Sequence, residues 1–155
     1  MVPEGVPLWQ VILFLAVLPG IGEEIAFRGL LLHGLRRRFR PVALALVVGL
    51  IFGLFHVSLF RLIPTTYLGV LLAGVTLLTG SIFPAMLWHA LNNAAALVPA
   101  HLDWWGDEPT IPGWLFAAAV VGLAAALWII WVSRTPYPGL RGRTGGASWR
   151  RREAG

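Results

Sequence analysis

Long apolar runs, interrupted at a few points by polar residues, dominate the chain. Five such segments are legible. The first runs from about Leu8 to Leu35, with a break expected near Pro19–Gly22. The second, Val42 to Phe60, has only His56 and Ser58 as polar members. The third, between Pro64 and Phe83, is diluted by threonines, and the fourth, Pro84 to Ala100, carries His89, Asn92 and Asn93. The fifth, Pro112 to Ser133, is apolar throughout, with Trp114, Trp128 and Trp131 placed as interfacial anchors. The runs are continuous and do not alternate with period two, so they predict helices and not the strands of a barrel. The expected fold is all-α: a polytopic transmembrane bundle of about five spans over residues 1–134, followed by an Arg/Gly-rich tail, 135–155, expected to be disordered.

Composition agrees with that pattern. Hydrophobic residues make up 57% of the 155 and charged residues 12%, with mean hydropathy +0.76, too little polar surface to coat a soluble globule. There is no cysteine, which excludes disulfides and thiolate chemistry. The net charge of +5 rests on twelve arginines and no lysine. Ten of them fall in two blocks, Arg36–Arg40 and Arg134–Arg152, which read as topology signal and lipid-headgroup contact and not as a nucleic-acid surface. Five spans put both blocks on one side. The positive-inside rule makes that side, tail included, cytoplasmic in a bacterial-type plasma membrane, with the acidic loop 101–110 outside. No basic residue precedes the first apolar run, which argues against a cleavable signal peptide.

A charge near the bilayer centre costs at least roughly 2.5–3.5 kcal/mol, so intramembrane polar groups call for a role. Glu24 and Arg28 stand four apart and share a helix face as an ion pair, while Glu23 points about 100° away. Counting rise from the arginine cluster and from Pro41 places Glu23 and His56 at similar depth, ~20 and ~22 Å, where a carboxylate and an imidazole can hold and deprotonate water. Phe52, one turn before His56, is placed to fix its ring. His89 and Asn93 share a face of the fourth segment and suit oxyanion stabilisation, although His89 is expected only ~8 Å above Pro84. The structural alternative for these groups is interhelical hydrogen bonding. His33 and His101 read as interfacial, and Gly20, Gly22, Gly29, Gly49, Gly53, Gly69 and Gly74 as surfaces for close helix approach.

Three stretches together carry a family resemblance. Glu23-Glu24-Ile25-Ala26-Phe27-Arg28-Gly29 resembles the E-E-x-x-x-R motif of the CPBP intramembrane proteases, the CAAX-protease and bacteriocin-processing family. Phe52-Gly53-Leu54-Phe55-His56 is similar to its F-x-x-x-H motif, and His89-Ala90-Leu91-Asn92-Asn93 to H-x-x-x-N. Order and spacing match over residues 19 to 97. The resemblance implies an intramembrane endopeptidase acting on peptides or membrane proteins. By it, Glu23 is the general base, His56 binds or orients water, Glu24 supports the site through Arg28, and His89 with Asn93 stabilises the oxyanion. It leaves the metal open: Glu23, His56 and His89 are a conceivable zinc set, and a metal-free glutamate mechanism is the other course. Two rival readings keep the same polar cluster. One is a non-enzymatic, bacteriocin-immunity-type binding protein; the other is a proton-coupled transporter.

Overall fold

The computed structural model describes residues 5–103 together with 128, 130–132, 135 and 137. Most of these residues are helical, with no strand among them, and they form four helices before residue 103: α1 (Leu8–Leu35), α2 (Pro41–Phe55), α3 (Leu59–Thr79) and α4 (Phe83–His101). Two, α1 and α3, are long and apolar enough to cross a membrane; α2 is equally apolar but has 15 residues, about 22 Å of rise. The five-span count is therefore not reproduced among the described residues. Most of the expected fifth segment lies outside them, its described members Trp128, Ile130, Trp131 and Val132 being helical.

Two boundaries differ from expectation. The break foreseen at Pro19–Gly22 is absent: α1 passes through Pro19 unbroken because its winding widens to π over Ile12–Val17, just ahead of the proline, and again over Ile25–Leu32. A wider turn absorbs the backbone bond that a proline cannot make. The second segment was expected to reach Phe60, yet α2 stops at Phe55 and the chain reverses through His56–Ser58, with Val57 at φ 48°. Apolar residues continue through this turn, so hydropathy gives no punctuation there. A β-branched residue with positive φ is strained, and this one adjoins His56.

Helices α2 and α3 pack closely through small residues. A Cβ added at Gly49 would lie 2.6 Å from the amide nitrogen of Val70, and one at Gly53 would lie 3.0 Å from that of Thr66. Phe27, Leu32, Leu44, Val48, Phe52 and Ala73 fill the core between α1, α2 and α3. Helix α4 closes on α1, where a Cβ at Gly20 would meet the backbone of Ala90 at 3.0 Å. Gly22 and Gly74, in contrast, face no neighbour within 4 Å.

Of the tail, Thr135 donates its amide hydrogen to the Leu78 carbonyl at 2.9 Å, and Tyr137 is buried in the core cluster. The Tyr137 hydroxyl lies 3.2 Å from His33 Nδ1, a contact that the interfacial reading of His33 did not anticipate.

Candidate active site

The neighbouring glutamates of α1 face different surroundings, as their ~100° separation requires. Glu24 is fully buried, and its Oε1 accepts hydrogen bonds from Arg28 Nη1 at 2.8 Å and from His89 Nδ1 at 2.9 Å. Arg28, also fully buried, donates from Nη2 to the Gly69 carbonyl at 2.8 Å, and its guanidinium lies 4.7 Å from the Phe52 ring centroid. One carboxylate thus ties together α1 and α4, and one guanidinium ties α1 to α3 across the face of a ring from α2. A buried charge unpaired in apolar surroundings is costly, and here the pair, the carbonyl and the aromatic face share the load.

Glu23 is about a quarter exposed and lines a cavity of about 610 Å³. His56, His89, Asn92 and Asn93 line the same cavity, with Phe52 at its wall. The Glu23 Oε2 atom is 3.8 Å from His89 Nε2, too far for a hydrogen bond, and has no hydrogen-bond partner among the described residues. Glu23 Oε2 is thus a buried acceptor with an unmet hydrogen bond beside His89 Nε2.

Hydrogen bonding fixes the tautomer of both rings. His56 Nδ1 is 2.9 Å from the Phe52 carbonyl oxygen, and His89 Nδ1 is 2.9 Å from the Glu24 carboxylate. Carbonyl and carboxylate oxygens only accept, so each Nδ1 carries the proton and each Nε2 keeps the other role. Phe52 packs edge-on against both rings, at centroid distances of 4.9 Å to His56 and 5.6 Å to His89.

The six residues singled out in the sequence thus lie around one locus. Glu24, Arg28 and His89 touch directly, while Glu23, His56 and Asn93 reach it through the cavity. The expected depth mismatch of His89 is absent. In an antiparallel pair, contact of Gly20 with Ala90 sets Pro84 close to opposite Ala26. Pro84 therefore lies nine residues, or ~13 Å, inside the end of α1, and His89 needs no tilt to reach the glutamates. Among the described residues no group of three or more His, Cys, Asp or Glu side chains is gathered tightly enough to hold a metal ion, so Glu23, His56 and His89 do not form a ready zinc set.

Three contributions lie beyond the sequence reading. Phe52 was marked as a support for His56 but also carries Arg28 and His89; Gly69 was marked for packing but also supplies a carbonyl; Arg61 lines the cavity. Arg61 did carry a signal, since it and Arg28 are the two arginines outside the basic blocks.

Residues 5–95, more than half of the chain, match the family model described as type II CAAX prenyl endopeptidase Rce1-like. No curated protein and no solved structure matches. The match spans the glutamate pair, Arg28, both cavity histidines and Asn93, and the chain belongs to the Rce1-like family of type II CAAX prenyl endopeptidases.

Proposed function

We propose that this integral membrane protein is an endopeptidase that hydrolyses a peptide bond of membrane-associated, CAAX-type substrates with water activated by Glu23 and His56. The observation that carries the reading is the convergence of Glu23, His56, His89 and Asn93 on one cavity, beside a fully buried Glu24–Arg28 pair. His56 Nε2 accepts a hydrogen bond from the water while Glu23 takes its proton, as the oxygen attacks the peptide carbonyl carbon. The tetrahedral oxyanion faces His89 and Asn93. Donation from His89 Nε2 requires both ring nitrogens to be protonated, because Nδ1 already donates to Glu24; Glu23 and Glu24 are the counter-charges of that form. Glu23 then passes its proton to the leaving amine as the carbon–nitrogen bond breaks. Among the described residues Glu23, His56 and His89 are not gathered closely enough to hold a metal ion, and water with these side chains suffices for the reaction.

Peptide bonds within a transmembrane helix have their carbonyls engaged, so the scissile segment enters extended, as a chain end or leader does. A CAAX terminus, a prenylated cysteine followed by three residues, meets that condition.

The test is cleavage of a quenched fluorescent peptide of this type by the full chain in lipid vesicles. Glu23→Gln keeps the shape and removes the base, and kcat is expected to fall by roughly 10²–10⁴ with the unfolding midpoint unchanged. Undiminished cleavage by the variant overturns the assignment of Glu23.

A further inference from the structure

The cavity that holds the glutamate and histidines also has a cation that the hydrolytic scheme leaves unused. Arg61 stands in the first turn of α3 and lines the cavity together with Pro64, Leu68 and Leu97. No acidic residue shares its turn, and no carboxylate among the described residues pairs with it. Arg28, the other arginine outside the basic blocks, is consumed by Glu24 and Gly69. Arg61 is exposed, so its guanidinium is open to an anion that enters this partly apolar cavity.

We propose that Arg61 binds the free α-carboxylate at the carboxy terminus of the substrate and so confines cleavage to a bond a few residues from a chain end. This rests on the endopeptidase reading above. Reach supports it: His56 and Arg61 are five residues apart, so their Cα atoms are separated by at most ~17 Å, and three extended residues span ~10 Å. A peptide with its scissile carbonyl beside His56 therefore brings a carboxylate three residues further on within range of the Arg61 side chain. Charge supports it too. With Glu23 in the same cavity, the Arg61 guanidinium suits a monoanionic carboxylate better than a dianionic phosphate. A planar guanidinium also matches a carboxylate in two parallel hydrogen bonds.

The experiment uses the full chain in phosphatidylcholine vesicles. Its probe is a fluorescent peptide ending in a prenylated cysteine and three aliphatic residues, made as the carboxy-terminal acid and as the amide. The wild type is expected to favour the acid by about 10- to 100-fold in kcat/KM, mainly through KM, the range of a charged hydrogen bond. Arg61→Gln is expected to bring the acid down to the level of the amide and leave the amide unchanged, while Arg61→Lys retains part of the preference. An acid-to-amide ratio unaltered by Arg61→Gln overturns the proposal, whether both rates fall or neither does. So does a loss that follows the phosphatidylglycerol content of the vesicle and not the peptide end, because Arg61 then grips a headgroup. Peptide binding, read by anisotropy, separates the two readings. Acid-selective binding without cleavage keeps the carboxylate site and sinks the hydrolase; cleavage without selectivity does the reverse.

Discussion

Replacing Gly69 with alanine tests whether backbone contact between α2 and α3 holds the site in place. A Cβ at this position would lie 2.9 Å from Gly49 Cα, 3.0 Å from the Gly49 oxygen and 3.0 Å from Phe52 Cδ1. Carbon atoms rest at about 3.5–4.0 Å, so the two carbon contacts are short by ~0.5–1 Å, and two of the three partners are backbone that cannot rotate away. Either α2 recedes from α3 or Phe52 swings. Overpacking of this kind costs about 1–3 kcal/mol. The functional loss is larger in proportion, because Phe52 touches Arg28, His56 and His89 together. A displacement approaching 1 Å at such a support lowers kcat/KM by ~10- to 100-fold. Intrinsic helix propensity predicts the opposite sign, with alanine more stable than glycine by up to about 1 kcal/mol. Gly74, five residues along α3 with nothing within 4 Å of its Cβ, is the internal control. Gly74→Ala should be neutral or slightly stabilising, with activity retained. Unfolding in mixed detergent micelles, followed by tryptophan fluorescence, and the peptide assay read both variants. A Gly69→Ala protein as stable and active as Gly74→Ala refutes the packing argument.

Two further outcomes follow from the buried pair and the docked tail. Arg28→Met leaves Glu24 without its guanidinium and is expected to cost about 3–5 kcal/mol in the same unfolding assay, with Glu24→Gln in that background returning part of it; a coupling energy near zero would mean the two are independent. Burial holds the Tyr137 phenol above its ordinary pKa of 10, against the opposing pull of Arg36. Its contribution to stability is therefore complete below pH ~10 and is lost only as the pH rises through the higher folded-state value. In a Tyr67→Phe protein, where Tyr137 is the remaining tyrosine, phenolate absorbance at 295 nm should rise with a midpoint above 10; a midpoint at or below 10 refutes the docking.

Local features of the site were legible because they depend on spacing alone. An offset of four from Glu24 to Arg28, and of one from Glu23 to Glu24, suffices to predict a pair on one face and a free carboxylate on another. Chain reversals within apolar stretches were not legible. The turn at His56–Ser58 lies inside a hydrophobic run, and the π winding of α1 carries no compositional mark. Rise counted from Pro84 puts His89 short of the glutamates, whereas the contact of Gly20 with Ala90 brings it level with them. Gly20 reads as a small surface, but a small residue does not name its partner. The Gly69 carbonyl was invisible for a related reason: any residue has one, and only the close approach of Gly49 and Phe52 brings it to Arg28.

The division between the two glutamates explains why a membrane site of this kind uses adjacent acids. A lone carboxylate facing the cavity would be free to turn toward whichever cation lies nearest, and Arg28 on the same helix is such a cation. Glu24 occupies that guanidinium at 2.8 Å and at the same time holds His89 by Nδ1, so Glu23 is left without a competing partner and faces Nε2 of the same ring. The fully buried member thus sets which nitrogen of the histidine faces Glu23 and the availability of its neighbour. Exchanging the order of the two roles is impossible without turning α1 by ~100°, which would take Arg28 off the Gly69 carbonyl and away from the Phe52 face.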